Sequence, residues 1–193
     1  MTPFFAAGKH RALPIEEGDL SALQAFFDTN PEYELTVTGE PPGPGRAREI
    51  FDAVPPEGWP FRAKWLMRLV DEEGAIVGVA DVIEDLFSAG IWHIGFFVVA
   101  TKLHGSGAAA ELYRALENWT RERGARWLRL GVVVGNKRAE RFWERCAYVD
   151  VARREGVEMG RRTNALRIMA KPLAGGGWDE YFDKVVRDRS PES

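Results

Sequence analysis

"IWHIGFFVVATKLHGSGAAAELYRALENWTRERGARWLRLGVVVGNKRAERFWERCAYVDV", residues 91–151, decides how the rest of the chain is read. It opens on a dense apolar run, Ile91 to Ala100, whose low polarity predicts a strand buried on both faces. After the glycines, Ala108, Leu112, Ala115, Leu116 and Trp119 share one helical face, with Glu111, Arg114, Glu117 and Arg121 on others. Gly124 ends that helix, Trp127 to Val134 reads as another strand, and Asn136 caps a helix with Ala139, Phe142, Trp143 and Cys146 on its apolar face. A strand that stops at Gly-x-Gly and opens a helix exposes several N–H groups at the positive helix end, a place for an anion. Gly105 and Gly107 let phosphate approach the main chain closely, and Ser106 adds a hydroxyl donor. The plainer alternative is a tight turn whose small residues serve close packing. A P-loop is excluded by the missing Gly-Lys-Ser/Thr ending, and a dinucleotide fingerprint by the missing third glycine and the late position.

Upstream, Lys64 to Val70 and Ala75 to Ile83 are strand-like runs joined by "DEEG", a hairpin turn. "IEEGDLSALQAFFDTNP", residues 15–31, sets Leu20, Leu23, Phe26 and Phe27 at helical spacing, and a short strand, Arg11 to Ile15, precedes it with Pro14 at its end. Between Asn30 and Pro60, "GEPPGPG" and "VPPEGWP" bracket about two helical turns, Arg46 to Ala53. The expectation there is an irregular lid, with Tyr33 and Trp59 either packed on the core or facing a ligand. Downstream, Tyr148 to Arg154 and Leu166 to Ala170 are strands, and "AGGGW" from Ala174 reads as a hinge. Beyond it Trp178, Tyr181, Phe182, Val185 and Val186 fall at near-helical spacing, so the tail is expected to dock on its own domain or on a second subunit.

The 193 residues suit one domain, 45% hydrophobic and 28% charged residues suit a globular chain, and a net charge of −3 argues against a nucleic-acid footprint. The single cysteine, Cys146, forms no internal disulfide and has no neighbours that suggest a metal cluster, so no metal is expected. The start has no signal-peptide pattern and no segment is apolar enough to span a bilayer. The expected location is the cytoplasm.

Apolar strand, "LHGSGAA", amphipathic helix, strand and "GNKRAERFWERCAYVDV" together resemble, in order and spacing, the GCN5-related N-acetyltransferase (GNAT) family. His104, Gly107 and Ala109 match the family's phosphate loop, with His104 in place of its usual Arg or Gln; Asn136, Ala139, Phe142 and Tyr148 match its second motif. The resemblance implies an α/β (α+β) fold: a mixed, mostly antiparallel sheet flanked by helices, with a splayed central strand pair. It spans a domain at 11–173, with 174–193 as a tail after the glycine hinge. It further implies acetyl-CoA as co-substrate, with His104, Gly105, Ser106, Gly107, Ala108 and Ala109 holding the pyrophosphate. Phe97 and Val99 would bond the pantetheine through their backbone, and Asn136 and Trp143 would lie beside the cofactor.

Acetyl transfer to an amine needs a base, because a lysine-like ammonium has a pKa of about 10.4. His93 occupies the family's base position, and a histidine titrates near neutrality, though in an apolar strand it also serves as hydrogen-bonded core. Glu84 and Asp81 are alternatives, or exposed acids at a strand end. The family's tyrosine acid matches Trp143, which donates a hydrogen bond but no proton; Tyr148, Tyr113 and Tyr33 are the substitutes. Cys146 reads as a packed thiol. The leading expectation is an N-acetyltransferase acting on a small-molecule or protein amine, with a homodimer possible. The competing readings are a non-catalytic acyl-CoA-binding module, motivated by Trp143, and an interaction protein presenting the lid and tail.

Overall fold

The computed structural model describes residues 2–173 and 175–189. Eight strands form one sheet: β1 (Phe5–Ala7), β2 (His10–Pro14), β3 (Ala63–Val70), β4 (Ile76–Glu84), β5 (Ile91–Val99), β6 (Trp127–Val133), β7 (Val149–Met159) and β8 (Arg162–Pro172). Their spatial order is β1-β2-β3-β4-β5-β6-β8-β7, and every neighbour pair is antiparallel except β5 with β6. The sheet is therefore mixed and mostly antiparallel. The β3–β4 turn closes as expected at "DEEG": Asp71 Oδ1 accepts from the Ala75 N–H at 2.8 Å, and Gly74 takes φ +85°.

Helices cover both faces. On one side α4 (Ala108–Glu122) and α5 (Lys137–Arg145) bury Leu112, Leu116, Trp119 and Trp143 against Met67, Ala80, Trp92, Ile94 and Leu130. On the other, α1 (Leu20–Thr29) and α3 (Arg46–Asp52) bury Leu23, Phe26, Phe27 and Ile50 against Val79 and Phe96. Each buried aliphatic or aromatic side chain contributes about 1.5–3 kcal/mol, so these two layers hold the sheet between them. The alternation along β5 breaks once. Asp81 pairs with Phe96 and the next residue, Val82, with Ile94, so Gly95 is the extra residue of a β-bulge. Ile94 and Phe97 consequently face the same side and Phe96 the opposite one.

Three features depart from the sequence reading. Phe5–Ala7 adds an edge strand, and the expected lid is ordered around α3 and a further helix, α2 (Glu32–Val37). The β7–β8 hairpin runs past the expected strand ends because the run Arg153-Arg154-Glu155-Gly156 and the polar Arg162-Thr163-Asn164 interrupt the strand pattern in the sequence. The tail takes one of its two expected dockings: it folds as α6 (Trp178–Lys184) on its own domain, with Tyr181 and Val185 buried against Ile91, Trp127 and Ile168. Trp178 and Phe182 of the same face are half-buried, while Val186 stays exposed. Of the expected glycine hinge, Ala174 lies outside the described residues, while a Cβ at Gly176 would stand 2.0 Å from the Trp127 ring, so that glycine is a close approach. No helix among the described residues is long and apolar enough to cross a membrane.

Candidate active site

β5 and β6 pair over only four positions, from Ile91 with Trp127 to Ile94 with Leu130. Beyond them the Gly95 bulge bends β5 away, while β6 stays registered with β8 as far as Val133. A cavity of about 520 Å³ opens in the fork, walled by Phe97, Leu130, Val132, Asn136 and Trp143 among others. The bond from Ala100 N–H to Val77 O sets the alternation of the β4–β5 ladder: Val98 and Phe96 bond toward β4, and the N–H and C=O of Phe97 and Val99 point into the fork. Those are the two residues expected to meet the pantetheine.

At the mouth of the fork, Gly105 (φ +80°) and Gly107 (φ +87°) both adopt left-handed backbone, with open space where a Cβ would sit. Among the described residues the amides of Gly105, Gly107 and Ala109 have no acceptor, whereas those of Ala110 and Glu111 bond Gly107 O. The loop thus presents three free donors at the start of a 15-residue helix. Ser106 departs from its expected role: its hydroxyl donates to Leu103 O at 2.7 Å and accepts from Ala108 N–H at 3.3 Å, so it holds the loop's own shape. His104 Nε2 lies 3.0 Å from Val99 O, and Arg138 Nη1 lies 2.6 Å from His104 Nδ1. A carbonyl accepts and a guanidinium donates, which puts the ring's proton on Nε2. The cation missing at position 104 is therefore brought by Arg138, in the first turn of α5, a residue the sequence reading passed over. Asn136 caps α5 by accepting from Ala139 N–H at 3.2 Å and also lines the cavity. Three free amides, a guanidinium and the outward strand edge fit a pyrophosphate followed by an amide-bearing arm.

A smaller cavity of about 170 Å³, lined by Asp81, Ile83 and Pro56 among others, shares His93, Gly95 and Trp59 with the larger one. His93 stands at the apex of the fork. Burial, and then the adjacent Arg129 charge, push its pKa down to about 3. Arg129 Nη1 lies 3.4 Å from Nδ1, occupying the lone pair a base would use. These surroundings make His93 a hydrogen-bond donor through Nε2 and do not support the base role expected of it. Asp81, across the bulge from Gly95, is different. Its Oδ1 is buried without a partner, its Oδ2 is 3.8 Å from Lys64 Nζ, and burial pushes its pKa up to about 6 against the Lys64 charge. Glu84, expected to be exposed, is buried with its oxygens on Trp65 Nε1 (2.9 Å) and Arg62 (3.2 Å), and it lines neither cavity.

Of the three tyrosines expected to replace the acid, Tyr113 and Tyr148 do not line the cavity of the fork. Tyr113 donates to Glu117 Oε2 at 2.6 Å, and its hydroxyl is 3.1 Å from that of Tyr148. With one proton already committed, Tyr113 is the acceptor at the second contact, so Tyr148 donates into a buried chain. Burial raises the pKa of Tyr148 well above the ordinary phenol value. Tyr33 does line the larger cavity, but burial pushes its pKa up to about 12 and its ring packs edge-on to Phe96 at 4.8 Å. Trp143 walls the fork beside Phe97. Burial pushes Cys146 up to about 11, the state of a packed, unreactive thiol.

The model of the acetyltransferase (GNAT) family matches residues 31–148, more than half of the chain and the whole span from α2 to the start of β7. The chain belongs to this family. No curated relative matches it at a significant level. Among solved structures, this GNAT protein is similar to an acetyltransferase from Thermus thermophilus, at 18% identity and a TM-score of 0.66, covering 86% of this chain and 97% of that one. It is also similar to a spermidine N-acetyltransferase from Vibrio cholerae in complex with CoA and spermine (18%, 0.65, 86% and 96%). A third is the ribosomal-protein-S18-alanine N-acetyltransferase from Escherichia coli (16%, 0.62, 87% and 96%). At these identities the likeness establishes the fold. Membership makes the protein an N-acetyltransferase that moves the acetyl group of acetyl-CoA to an amine, and the two non-catalytic readings give way.

Proposed function

We propose that Asp81 is the general base of this acetyltransferase and that the space shared by the two cavities, between Trp59, His93 and Gly95, receives the acceptor amine. The observation that carries this is the buried Asp81 Oδ1, which has no partner and sits where the bulge opens the sheet. Burial raises the proton affinity of Asp81, whereas burial and then the Arg129 charge lower that of His93, and the opposite directions favour Asp81 as the proton acceptor. His93 Nε2–H is then left to orient the acceptor or a bridging water. The cofactor binds through the Gly105, Gly107 and Ala109 amides and Arg138, with Asn136 and Trp143 along its arm. When bound it would supply the thioester, and the outward N–H of Phe97 would be available to donate to the carbonyl oxygen on which charge develops. With Trp143 unable to give a proton and Tyr148 withdrawn, solvent protonates the departing thiolate, whose ordinary pKa of about 8.5 makes its departure feasible.

The acceptor is a small molecule, a reading supported by Trp59 and the tail's Arg187 both lining the cavity, and the enzyme works in the cytoplasm, where its lone thiol suits a reducing compartment. The test is CoA release over an amine panel from pH 5 to 9. The wild type gains activity through a limb near pH 6, and Asp81→Asn removes that limb together with about 10²–10⁴ in rate. A His93→Ala variant that abolishes turnover, beside an Asp81→Asn variant that keeps the wild-type profile, would return the base to His93.

A further inference from the structure

Three guanidinium groups face the acceptor end of the larger cavity: Arg129 from β6, Arg154 from β7 and Arg187 from the segment after α6. Asp188, fully buried, binds Arg129 Nε and Nη2 at 2.7 and 2.9 Å, Arg154 Nη2 at 3.0 Å, and accepts from the Tyr181 hydroxyl at 2.8 Å. One carboxylate thus serves two of the three cations. The other acid at the cavity, Glu155, is exposed and paired with Arg153. Arg187 is left with no carboxylate among the described residues. Its guanidinium lies 3.9 Å from the centre of the Trp59 ring and 5.2 Å from that of Phe87, a residue itself held in left-handed backbone at φ +71°. Partial desolvation, then repulsion from Arg129 and Arg154, lowers its pKa from the ordinary value. Trp59 and His93 line both cavities, so this charge stands at the same chamber as Asp81.

We propose that the acceptor of this enzyme is an amino acid-like small molecule, and that Arg187, stacked on Trp59, binds its carboxylate while its amine is turned toward Asp81. An arginine fork pairs a carboxylate through two parallel bonds, and here the anion would also offset the charge excess that Arg129 and Arg154 leave around Asp188. A polyamine meets the reverse: its second cation would face the Arg187 guanidinium. The proposal rests on the acceptor chamber assigned above, and the two fail separately, because Asp81→Asn lowers turnover of every acceptor alike whereas Arg187 sets the choice among them.

The experiment compares acceptors that differ only in the carboxylate: phenylalanine with phenethylamine, 4-aminobutyrate with propylamine, and putrescine as the dication. In the wild type, kcat/KM for thiol release is at least 10-fold higher for the acid of one pair or both, through KM. Arg187→Ala collapses that ratio, Arg187→Lys restores part of it, and Arg187→Glu shifts preference toward putrescine. The Arg187 side chain is exposed, so these variants are expected to keep the wild-type melting temperature. Equal rates within both pairs, or a wild-type preference for putrescine, overturns the proposal. If no panel member turns over, calorimetry of the two acids in the presence of CoA decides: saturable binding lost in Arg187→Glu supports it, and no binding overturns it.

Discussion

Asp81 carries the conflict expected of a working residue. An aspartate between Ala80 and Val82 in a core strand is costly when ionised, and its folded carboxyl holds a proton up to about pH 6, against an ordinary 3.8. Between those two values the native state binds more protons than the unfolded one, so this group takes stability away as the pH rises. Above about pH 6 the loss is complete, on the order of 3 kcal/mol. Asp81→Asn should therefore be more stable than wild type in urea at pH 8 and no more stable at pH 4, while losing activity; a gain at both values would show that the Asn simply packs better. Arg138 makes the complementary case, a charge with no structural duty beyond His104. Arg138→Ala should raise the Kd for acetyl-CoA roughly 5- to 10-fold, about 1 kcal/mol, and flatten its dependence on salt, with melting temperature unchanged.

The strand-to-helix corner is governed by backbone geometry. Gly107→Ala forces a Cβ onto φ +87°, at about 1 kcal/mol, and tilts the amides that face the cofactor. The expected result is a melting point lower by a few degrees together with weaker acetyl-CoA binding; a variant that binds at wild-type affinity would count against the loop's role. This corner, and the order of elements around it, were legible because each step is local: apolar strand, paired glycines, amphipathic face, Asn136 cap. The lid helix α2 was not, since Glu32–Val37 offers six residues between Pro31 and the Gly-Pro stretch, too few for a periodic pattern. Nor was β1, a three-residue edge strand. Within the site, the family resemblance led to His93 at the fork, but what sets its proton affinity, besides burial, is Arg129 on the neighbouring strand, a contact with no local signature. A signal was present all the same. Arg129 within "WLRLGVVV" and Asp81 within "VGVADVIE" are charges in apolar strands, and each demands either a partner or a purpose.

At the scale of the whole molecule, Asp188 joins the segment after α6 to both β6 and β7 and shapes the acceptor chamber. Burial alone would raise its pKa, but the Arg129 hydrogen bonds and charge hold it below the ordinary value, so its stabilisation is present above about pH 4 and fades as the pH falls through the folded value. Asp188→Ala should leave Arg129 as an uncompensated buried charge and cost about 3–5 kcal/mol at pH 7, measured by urea unfolding. A cost under about 1 kcal/mol would mean that the segment is only loosely attached. The four-position seam between β5 and β6 divides the sheet into a five-strand and a three-strand half. Amides deep within a sheet ordinarily keep their protons from solvent for long periods, but those of Phe97 and Val99 face the fork with no neighbouring strand to shield them. They should swap hydrogen for deuterium as fast as loop amides in the free enzyme, then slow sharply once acetyl-CoA bridges the two halves, so that two residues at the centre of the fold report on occupancy of its site.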